Sequence, residues 1–219
     1  NRSHSNKLSF YGFDLQNPDV DLNLILDFAE ENSIEEGTGL SATFDSYLNG
    51  SISFKDAGLN DGFEALNRLK NHLLSNRDEY QDLYNYDRIL DCIENVLRAR
   101  ELAARYDRDN GMVEGGQYRD QMMAVKVIEI SETLNESRMM ITGHNGHIGY
   151  AGNYTKTMGS FLRDELGDSY YAIGTDYFIT DCSMPFGNGR RANHRFVSAD
   201  ILAYTLCCQV LYLSGYMVL

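Results

Sequence analysis

The chain has 219 residues, of which 43% are hydrophobic and 23% are charged, and this is enough for one sizeable globular domain. Only 2 prolines and 19 glycines are present, which excludes a collagen-like or proline-rich low-complexity chain. The net charge of −13 repels phosphate groups, so it excludes non-specific nucleic-acid binding and disfavours an anionic membrane surface as a partner.

The first forty residues predict a strand, a helix and a loop. Residues 7–12 form an apolar and aromatic run typical of a strand, and Asp14 follows just beyond it. Pro18 suits the start of a helix. Apolar residues then recur at helical spacing, at Leu22, Ile25, Leu26 and Ala29. The polar, glycine-punctuated residues 30–39 predict a loop.

Residues 56–106 are predicted to be helical throughout. One apolar face consists of Leu59, Phe63, Leu66, Leu69 and Leu73, and a second of Tyr86, Ile89, Leu90, Ile93, Val96 and Leu97. Residues 75–78 can form a turn between them, so the simplest arrangement is two antiparallel helices that pack on a sheet or project as a hairpin. His72 lies on the first helix and is interpreted as a surface or packing residue and not as a ligand.

The middle of the chain combines a predicted loop with an ambiguous segment. Residues 108–117 are polar and contain glycines, which favours a loop. Residues 118–134 include a strand-like alternation at 124–130, but they also carry a continuous apolar stripe at helical spacing. Because the segment is long, we predict a helix.

The second half predicts alternating strands and helices. Residues 138–142 and 170–174 are short apolar runs typical of buried strands, and residues 161–166 predict a short helix capped at 159–160 and ended by Gly167. Strand, helix and strand joined so tightly imply parallel neighbours in an α/β sheet. No internal repeat is found, and no domain boundary is predicted.

The uncharged residues 201–219 are long enough to span a bilayer. Polar residues at Thr205, Gln209 and Ser214 instead favour a buried helix to about Cys208 and a strand at 210–213, with a membrane span as the alternative. No signal peptide is visible at the start of the sequence. The 4 cysteines lack CxxC spacing, which indicates reduced thiols and a cytoplasmic protein.

Residues 142–151, with the sequence TGHNGHIGYA, are the strongest candidate site. His144 and His147 follow the carboxyl end of a predicted strand, where α/β proteins usually place their sites. Imidazole is the natural general acid or base near neutral pH, and the surrounding glycines allow a ligand to approach the backbone. The alternative is two loop histidines bound to backbone groups. The HxxH spacing is a weak metal signal, because the helical i, i+4 spacing of zinc hydrolases and a nearby carboxylate are both missing.

Residues 138–178 closely resemble the second half of the erythromycin esterase family, in which a strand is followed by a His-Asn-Gly-His loop, a Met-Gly helix and a strand ending in Gly-Thr-Asp. Residues 118–123, YRDQMM, resemble the Arg-Asp-x-x-Met segment of that family. Residues 10–16, FYGFDLQ, resemble its Gly-x-Asp strand end. The order and spacing of these motifs agree over essentially the whole chain.

The resemblance implies a three-layer α/β/α fold with a mainly parallel sheet, a helical insertion at about 56–106, and an ester-hydrolase site. Family members that act on macrolides open the macrolactone ring by adding water. His144 and His147 match the second pair of active-site histidines, and Arg119 matches the arginine of the Arg-Asp segment. Taken without the resemblance, the pair Arg119 and Asp120 could instead serve helix capping and dipole chemistry.

The candidate site therefore has two parts. His144 and His147 are the predicted catalytic residues, which polarise or protonate the ester while water attacks. The candidate substrate-binding residues are Arg119, Asn145, Asp14, Tyr11 and Tyr150. We expect a small ester or macrolide-like substrate, and neither a cofactor nor a metal site is predicted.

One departure from the family pattern affects the expected activity. Family members are nearly twice as long, and their first half carries a Gly-Glu-x-x-His-Gly motif with the principal catalytic histidine, which this sequence does not contain. The chain is thus expected to be a C-terminal portion with negligible esterase activity by itself. The alternatives to a hydrolase are a haem- or metal-binding module on the same fold and an inactive fragment.

Overall fold

The structure is a computed structural model that describes residues 9–15, 18–134, 138–150, 155–174, 179–185 and 190–198. The α-helices in these ranges are α1 (Asp19–Glu31), α2 (Leu40–Leu48), α3 (Asn60–Ser75), α4 (Arg77–Tyr80), α5 (Tyr86–Tyr106), α6 (Gly111–Leu134), α7 (Asn145–Ile148) and α8 (Met158–Leu166). Short 3-10 helices occupy Glu35–Gly37, Ala57–Leu59 and Gly167–Ser169, and two strands occupy β1 (Ile179–Pro185) and β2 (Arg191–Val197). The chain divides into two compact units, with the boundary between Ala172 and Ile173.

The first core of the larger unit lies among α1, α2, α3 and α5. The predicted helix after Pro18 is confirmed as α1, and Leu22, Ile25 and Ala29 of its apolar stripe are buried. The helical prediction for 56–106 is also confirmed, with breaks between α3, α4 and α5. The buried Tyr86 closes this core, because its hydroxyl donates to the carbonyl of Leu73 at 2.8 Å.

His72 packs within this region, as its place on the predicted helix indicated. Its Nε2 lies 3.0 Å from the Tyr80 hydroxyl, and its Nδ1 lies 2.7 Å from Oε1 of Glu36. These contacts join α3 to α4 and to the 3-10 helix at Glu35–Gly37. His72 therefore connects neighbouring helical segments.

Helix α6 confirms the helical interpretation of 118–134, but it begins earlier than expected. The predicted loop at 108–117 is wrong from Gly111 onward, because Gly111 and Gly115 provide space for Tyr106 of α5 and do not break the helix. A Cβ atom at Gly115 would lie 2.6 Å from the Tyr106 ring. The glycines thus allow a close approach between α5 and α6.

Ion pairs also fasten α6 to α5. Arg98 donates from Nη1 and Nη2 to both carboxylate oxygens of Glu129, at 3.0 and 2.7 Å. The ammonium group of the buried Lys126 contacts Asp91. Lys126 and Glu129 both lie in the carboxyl-terminal half of α6. Their ion pairs with α5 fix the rotational orientation of α6 about its axis.

A second, smaller core joins α6 to α8. Its buried members are Met123, Ala124, Val127, Met158, Leu162 and Tyr170. The short predicted helix at 161–166 is confirmed as α8, which starts at Met158 with Thr157 as its N-cap and ends where Gly167 adopts a φ of 56°. Ile141 and Ile148, which lie between α6 and α8, pack against this core.

The prediction of a three-layer α/β/α fold with a mainly parallel sheet is wrong. The described residues are mainly helical, and their one sheet is the antiparallel pair of β1 and β2. Within the described ranges, the predicted strands at 9–12, 138–142 and 170–174 pair with no neighbour. Phe10, Met140 and Tyr171 are 92%, 88% and 81% exposed, so these apolar runs are not buried strands. A local apolar run favours an extended backbone, but it does not encode a hydrogen-bonded partner strand.

The smaller unit contains a β-hairpin that the sequence analysis did not predict. β1 and β2 pair in antiparallel register, with Cys182 opposite His194. Arg195 donates to both carboxylate oxygens of Asp181 across the strands, at 2.8 and 2.7 Å. A cross-strand pair of opposite charge stabilises such a ribbon.

The predicted helix and strand after residue 200 lie outside the described residues, as do Cys207 and Cys208. Among the residues that the structure does describe, no helix has the length and apolar character needed to cross a membrane. Cys92 and Cys182 are free thiols. Burial raises the pKa of Cys92 to about 12, and the neighbouring Asp21 carboxylate adds to this effect.

Candidate active site

Two consecutive residues of α6 hold the two halves of the candidate site. Successive residues of an α-helix diverge by about 100°, so the side chains of Arg119 and Asp120 contact different segments of the chain. Arg119 contacts Asp14 in the segment 9–15, and Asp120 contacts His147 in α7. The interpretation of this pair as capping residues at the head of a helix is wrong, because α6 begins at Gly111 and both residues lie in its interior.

The first half is a two-pronged ion pair. Arg119 donates from Nε and Nη2 to the two carboxylate oxygens of Asp14, at 2.8 and 2.6 Å. The backbone N–H of Leu15 donates to the same carboxylate at 2.7 Å. Such bidentate pairing fixes the plane of both groups, so Asp14 is held in one orientation.

The second half is a carboxylate–imidazole pair. Nδ1 of His147 lies 2.5 Å from Oδ1 of Asp120. Asp120 is only 5% exposed, whereas about a third of the His147 side chain is open to solvent. The imidazole therefore has one face toward a buried carboxylate and a part that a ligand can reach.

The pKa values of Asp14 and Asp120 are shifted in opposite directions from the usual value of an aspartate. Burial works against ionisation of Asp14, but the hydrogen bonds and charge of Arg119, the Leu15 N–H and the charge of His147 outweigh it and lower its pKa. Burial raises the pKa of Asp120, and His147, the Met158 N–H and Arg119 reduce this rise without cancelling it. His147 acts on both carboxyl groups, so the two halves form one electrostatic cluster.

His144 has a different local role. It is the N-cap of α7, and its Nδ1 accepts a hydrogen bond from the backbone N–H of Gly146 at 3.0 Å. Its ring is exposed and lies 6.4 Å from the His147 ring, measured between centroids. The glycine at 146 lets the turn tighten against the ring, since a Cβ atom there would lie 3.1 Å from Nδ1.

The remaining predicted substrate-binding residues, Tyr150, Tyr11 and Asn145, differ in their contacts and in their exposure to solvent. The Tyr150 hydroxyl accepts from the Ala172 N–H at 3.0 Å and donates to the Tyr170 carbonyl at 3.4 Å. These bonds join Tyr150 to the backbone of residues 170–172. Tyr11 is 52% exposed in the segment that leads to Asp14, and Asn145 is the exposed first residue of α7. Substrate binding by these residues stays a prediction.

Sequence reasoning missed Asp120 as the partner of His147. The sequence contains no carboxylate close to His144 or His147, and the sequence analysis counted this only against a metal site. The structure forms a carboxylate–histidine pair between residues that are 27 positions apart. The available signal was the Arg-Asp dipeptide. Adjacent side chains of a helix point about 100° apart, so Arg119 and Asp120 must contact different segments of the chain.

Metal ligation was weakly indicated by the HxxH spacing. In the part of the chain that the structure describes, no group of three or more histidine, cysteine, aspartate or glutamate side chains is placed to hold a metal ion. His144 and His147 instead bind a backbone N–H and a carboxylate. The described geometry thus assigns both histidines to hydrogen bonds.

Comparisons with known proteins agree with the motif resemblance. One solved structure, described as a succinoglycan biosynthesis protein, has a TM-score of 0.71 and 16% sequence identity, and it shares its backbone arrangement over 93% of this chain. The chain spans about half of that structure, 52% of its length. No curated protein matches the sequence significantly. The family model for erythromycin esterase matches residues 1–181. The chain therefore belongs to the erythromycin esterase family.

Proposed function

We propose that this chain supplies acid–base residues to a site that hydrolyses a carboxylic ester or macrolactone. Family membership supports a hydrolase of this kind. The observation that carries the residue assignment is the 2.5 Å contact between Asp120 and His147. In this proposal His147 transfers the proton, His144 polarises the carbonyl, and Asp120 orients His147.

The two histidines are held in complementary tautomers. A carboxylate can only accept a hydrogen bond, so the neutral form of His147, which is the form that can act as a base, donates from Nδ1 to Asp120 and keeps a lone pair on Nε2. His144 accepts at Nδ1 from Gly146, so its neutral ring carries the proton on Nε2. One ring thus offers a base and the other a hydrogen-bond donor, the two groups that ester hydrolysis by water requires.

In the proposed reaction, the oxygen of a water molecule bonds to the ester carbonyl carbon while Nε2 of His147 removes a proton from that water. The carbonyl electron pair moves onto its oxygen, where the Nε2–H of His144 stabilises the negative charge. The intermediate then breaks its bond to the alcohol oxygen, which takes the proton from His147. The products are a carboxylic acid and an alcohol, or one hydroxy acid when the ester is a lactone.

Asp14 and Arg119 have a supporting role in the proposal. Arg119 directs two of its N–H groups to Asp14, so the pair is nearly neutral and fixed in orientation. Asp120 likewise balances the charge that His147 gains during the reaction. A site with paired charges favours an uncharged ester over an anionic one, and Tyr11, Asn145 and Tyr150 are the residues we assign to contacts with such a substrate.

The test is hydrolysis of a chromogenic ester and of a macrolide by purified protein, using both the 219-residue chain and the whole polypeptide that its gene encodes. We expect His147→Gln to lower kcat by about 10²- to 10⁴-fold, and His144→Gln to lower it less. His72→Gln is the matched control, because the contacts of this histidine are with Tyr80 and Glu36, outside the candidate site, and the change is expected to leave turnover unchanged.

Two results would contradict the proposal. The first is hydrolysis that survives His147→Gln, which would remove this residue from the reaction. The second is wild-type protein without turnover that shows a Soret band or stoichiometric metal, which would favour a binding module on the same fold.

A further inference from the structure

The start of α8 binds the segment that carries His147 and lies beside Asp120. Thr157, the N-cap of α8, is a polar residue that is only 3% exposed. Its hydroxyl accepts from the Ser160 N–H at 3.1 Å and donates to the Gly149 carbonyl at 2.5 Å. One buried hydroxyl therefore caps the helix and holds the backbone two residues beyond His147.

Two neighbours of Thr157 extend this attachment. The Ser160 hydroxyl donates to the Tyr150 carbonyl at 2.6 Å, so successive carbonyls of the histidine loop are held by α8. Gly159 lets the helix approach that loop closely, since a Cβ atom there would lie 2.2 Å from the Ile148 carbonyl oxygen. The backbone that directly follows α7, the short helix that carries His147, is thus held against α8.

The residue after the cap reaches the other member of the pair. The fully buried Met158 belongs to the same core as Met123 of α6, and its backbone N–H lies close enough to the Asp120 carboxylate to oppose the rise in the pKa of that group. The N–H of the first helical residue has no partner within its own helix, so the direction of α8 at its start decides where this donor lies. The cap made by Thr157 sets that direction.

We propose that Thr157 is a positioning residue for the His147–Asp120 pair. Its hydroxyl holds the segment that carries His147 through the Gly149 carbonyl, and as the N-cap of α8 it sets where the Met158 amide lies beside Asp120, so it sets the distance between imidazole and carboxylate. It touches no substrate, because its side chain is buried. This inference rests on the proposed function for its kinetic consequence, but its structural consequence is measurable without turnover.

The informative change is Thr157→Val, which keeps the branched shape of the side chain and removes both hydrogen bonds. A displacement of about 1 Å in a catalytic group can cost about 100-fold in rate. We therefore expect kcat to fall by about 10- to 100-fold with KM little changed, and Thr157→Ser, which retains the hydroxyl, to restore it. Thr43→Val is the matched control, because the Thr43 hydroxyl also donates to a backbone carbonyl, that of Gly39 at 3.1 Å, but in α2.

The second measurement is the proton NMR signal of the His147 Nδ1–H. A proton shared with a carboxylate resonates far downfield, and we assign it by its loss in His147→Gln. Thr157→Val is expected to shift or broaden this signal, whereas Thr157→Ser and Thr43→Val leave it unchanged. A wild-type signal and wild-type kcat in Thr157→Val would overturn the inference.

Two further results are distinguishable from that one. If wild-type protein shows no ester hydrolysis but Thr157→Val alters the signal, the proposed function fails and the positioning role stands. If Thr157→Val does not fold, Ser160→Ala is the second variant. It removes the bond to the Tyr150 carbonyl and the serine half of the capping box, in which Ser160 Oγ accepts from the Thr157 N–H at 3.4 Å, but it keeps the bond from Thr157 to the Gly149 carbonyl. It is expected to alter the signal and kcat more weakly. An unchanged signal and rate in Ser160→Ala would then count against the positioning role.

Discussion

Replacing Asp120 by asparagine separates the catalytic role of this residue from its effect on stability. The amide has nearly the shape of the carboxyl group but carries no charge, so it cannot stabilise the imidazolium that forms when His147 takes a proton. Two unit charges about 4 Å apart attract each other by about 4 kcal/mol at the effective dielectric constant of a protein. This energy corresponds to about three powers of ten in rate, and we expect kcat to fall by about 10³-fold.

The same change has the opposite expected effect on folding. Burial raises the pKa of Asp120, so the folded protein binds a proton at this carboxyl more tightly than the unfolded chain does. The free energy of unfolding of the wild type therefore declines as the pH rises from 3.8 through the folded pKa, and the penalty is fully present once the pH is above that pKa. Asp120→Asn has no such penalty and is expected to unfold at an equal or higher denaturant concentration at pH 7.

The assay combines ester hydrolysis at pH 7 with urea unfolding at several pH values. Loss of turnover together with unchanged or increased stability supports the assigned role. A parallel fall in turnover and in stability would refute the reasoning, because Asp120 would then act mainly as a structural anchor. Retained turnover would refute it more directly.

Two further predictions concern the ion pair between Arg119 and Asp14 and the glycines near the start of α6. Asp14→Asn is expected to lower the free energy of unfolding by about 0.2–1 kcal/mol at pH 7, since the pair with Arg119 is partly exposed. Because the pKa of Asp14 is lowered, its contribution is present above pH 3.8 and is lost as the pH falls through the folded pKa. Equal stabilities at pH 7 in urea unfolding would contradict this. Gly115→Ala is expected to destabilise the protein by about 1–3 kcal/mol because the added methyl meets the Tyr106 ring. Gly116→Ala, in the same helix with open space around it, is expected to stabilise by about 0.5–1 kcal/mol. Thermal unfolding compares the two variants, and equal effects would contradict the packing argument.

Sequence patterns predicted the long helices α1, α3, α5 and most of α6 because the signal of such helices is local, but they did not predict α2 or α7. The apolar faces of α1, α3 and α5 recur at helical spacing, and most residues named for those faces are buried. Residues 118–134 were ambiguous by alternation, and their length correctly favoured a helix. The start of α6 was predicted too late, since Gly111 and Gly115 were interpreted by their flexibility and not by the space they leave for Tyr106.

The sheet and the Asp120–His147 pair could not be predicted in this way because both depend on distant partners. An apolar run such as residues 138–142 has the composition of a buried strand, but Met140 is exposed. An aspartate such as Asp120 is a residue type typical of helix caps. In the structure it contacts His147, which lies near it because α6 packs on α8. Motif resemblance identified the correct family. It did not identify Asp120 as the partner of His147.

The attachment of α6 to α5 restricts how this sequence can change in evolution. Lys126 and Glu129 fix the rotation of the helix about its axis, and Arg119 and Asp120 depend on that rotation to meet Asp14 and His147. Inserting or deleting one residue between positions 120 and 126 would turn the amino-terminal half by about 100° relative to α5 and direct both side chains away from their partners. Substitutions on the exposed face of α6 disturb neither set of contacts. Homologous chains that keep both sets of contacts should therefore differ along α6 by substitution, with insertions and deletions confined to the segments before Gly111 and after Leu134.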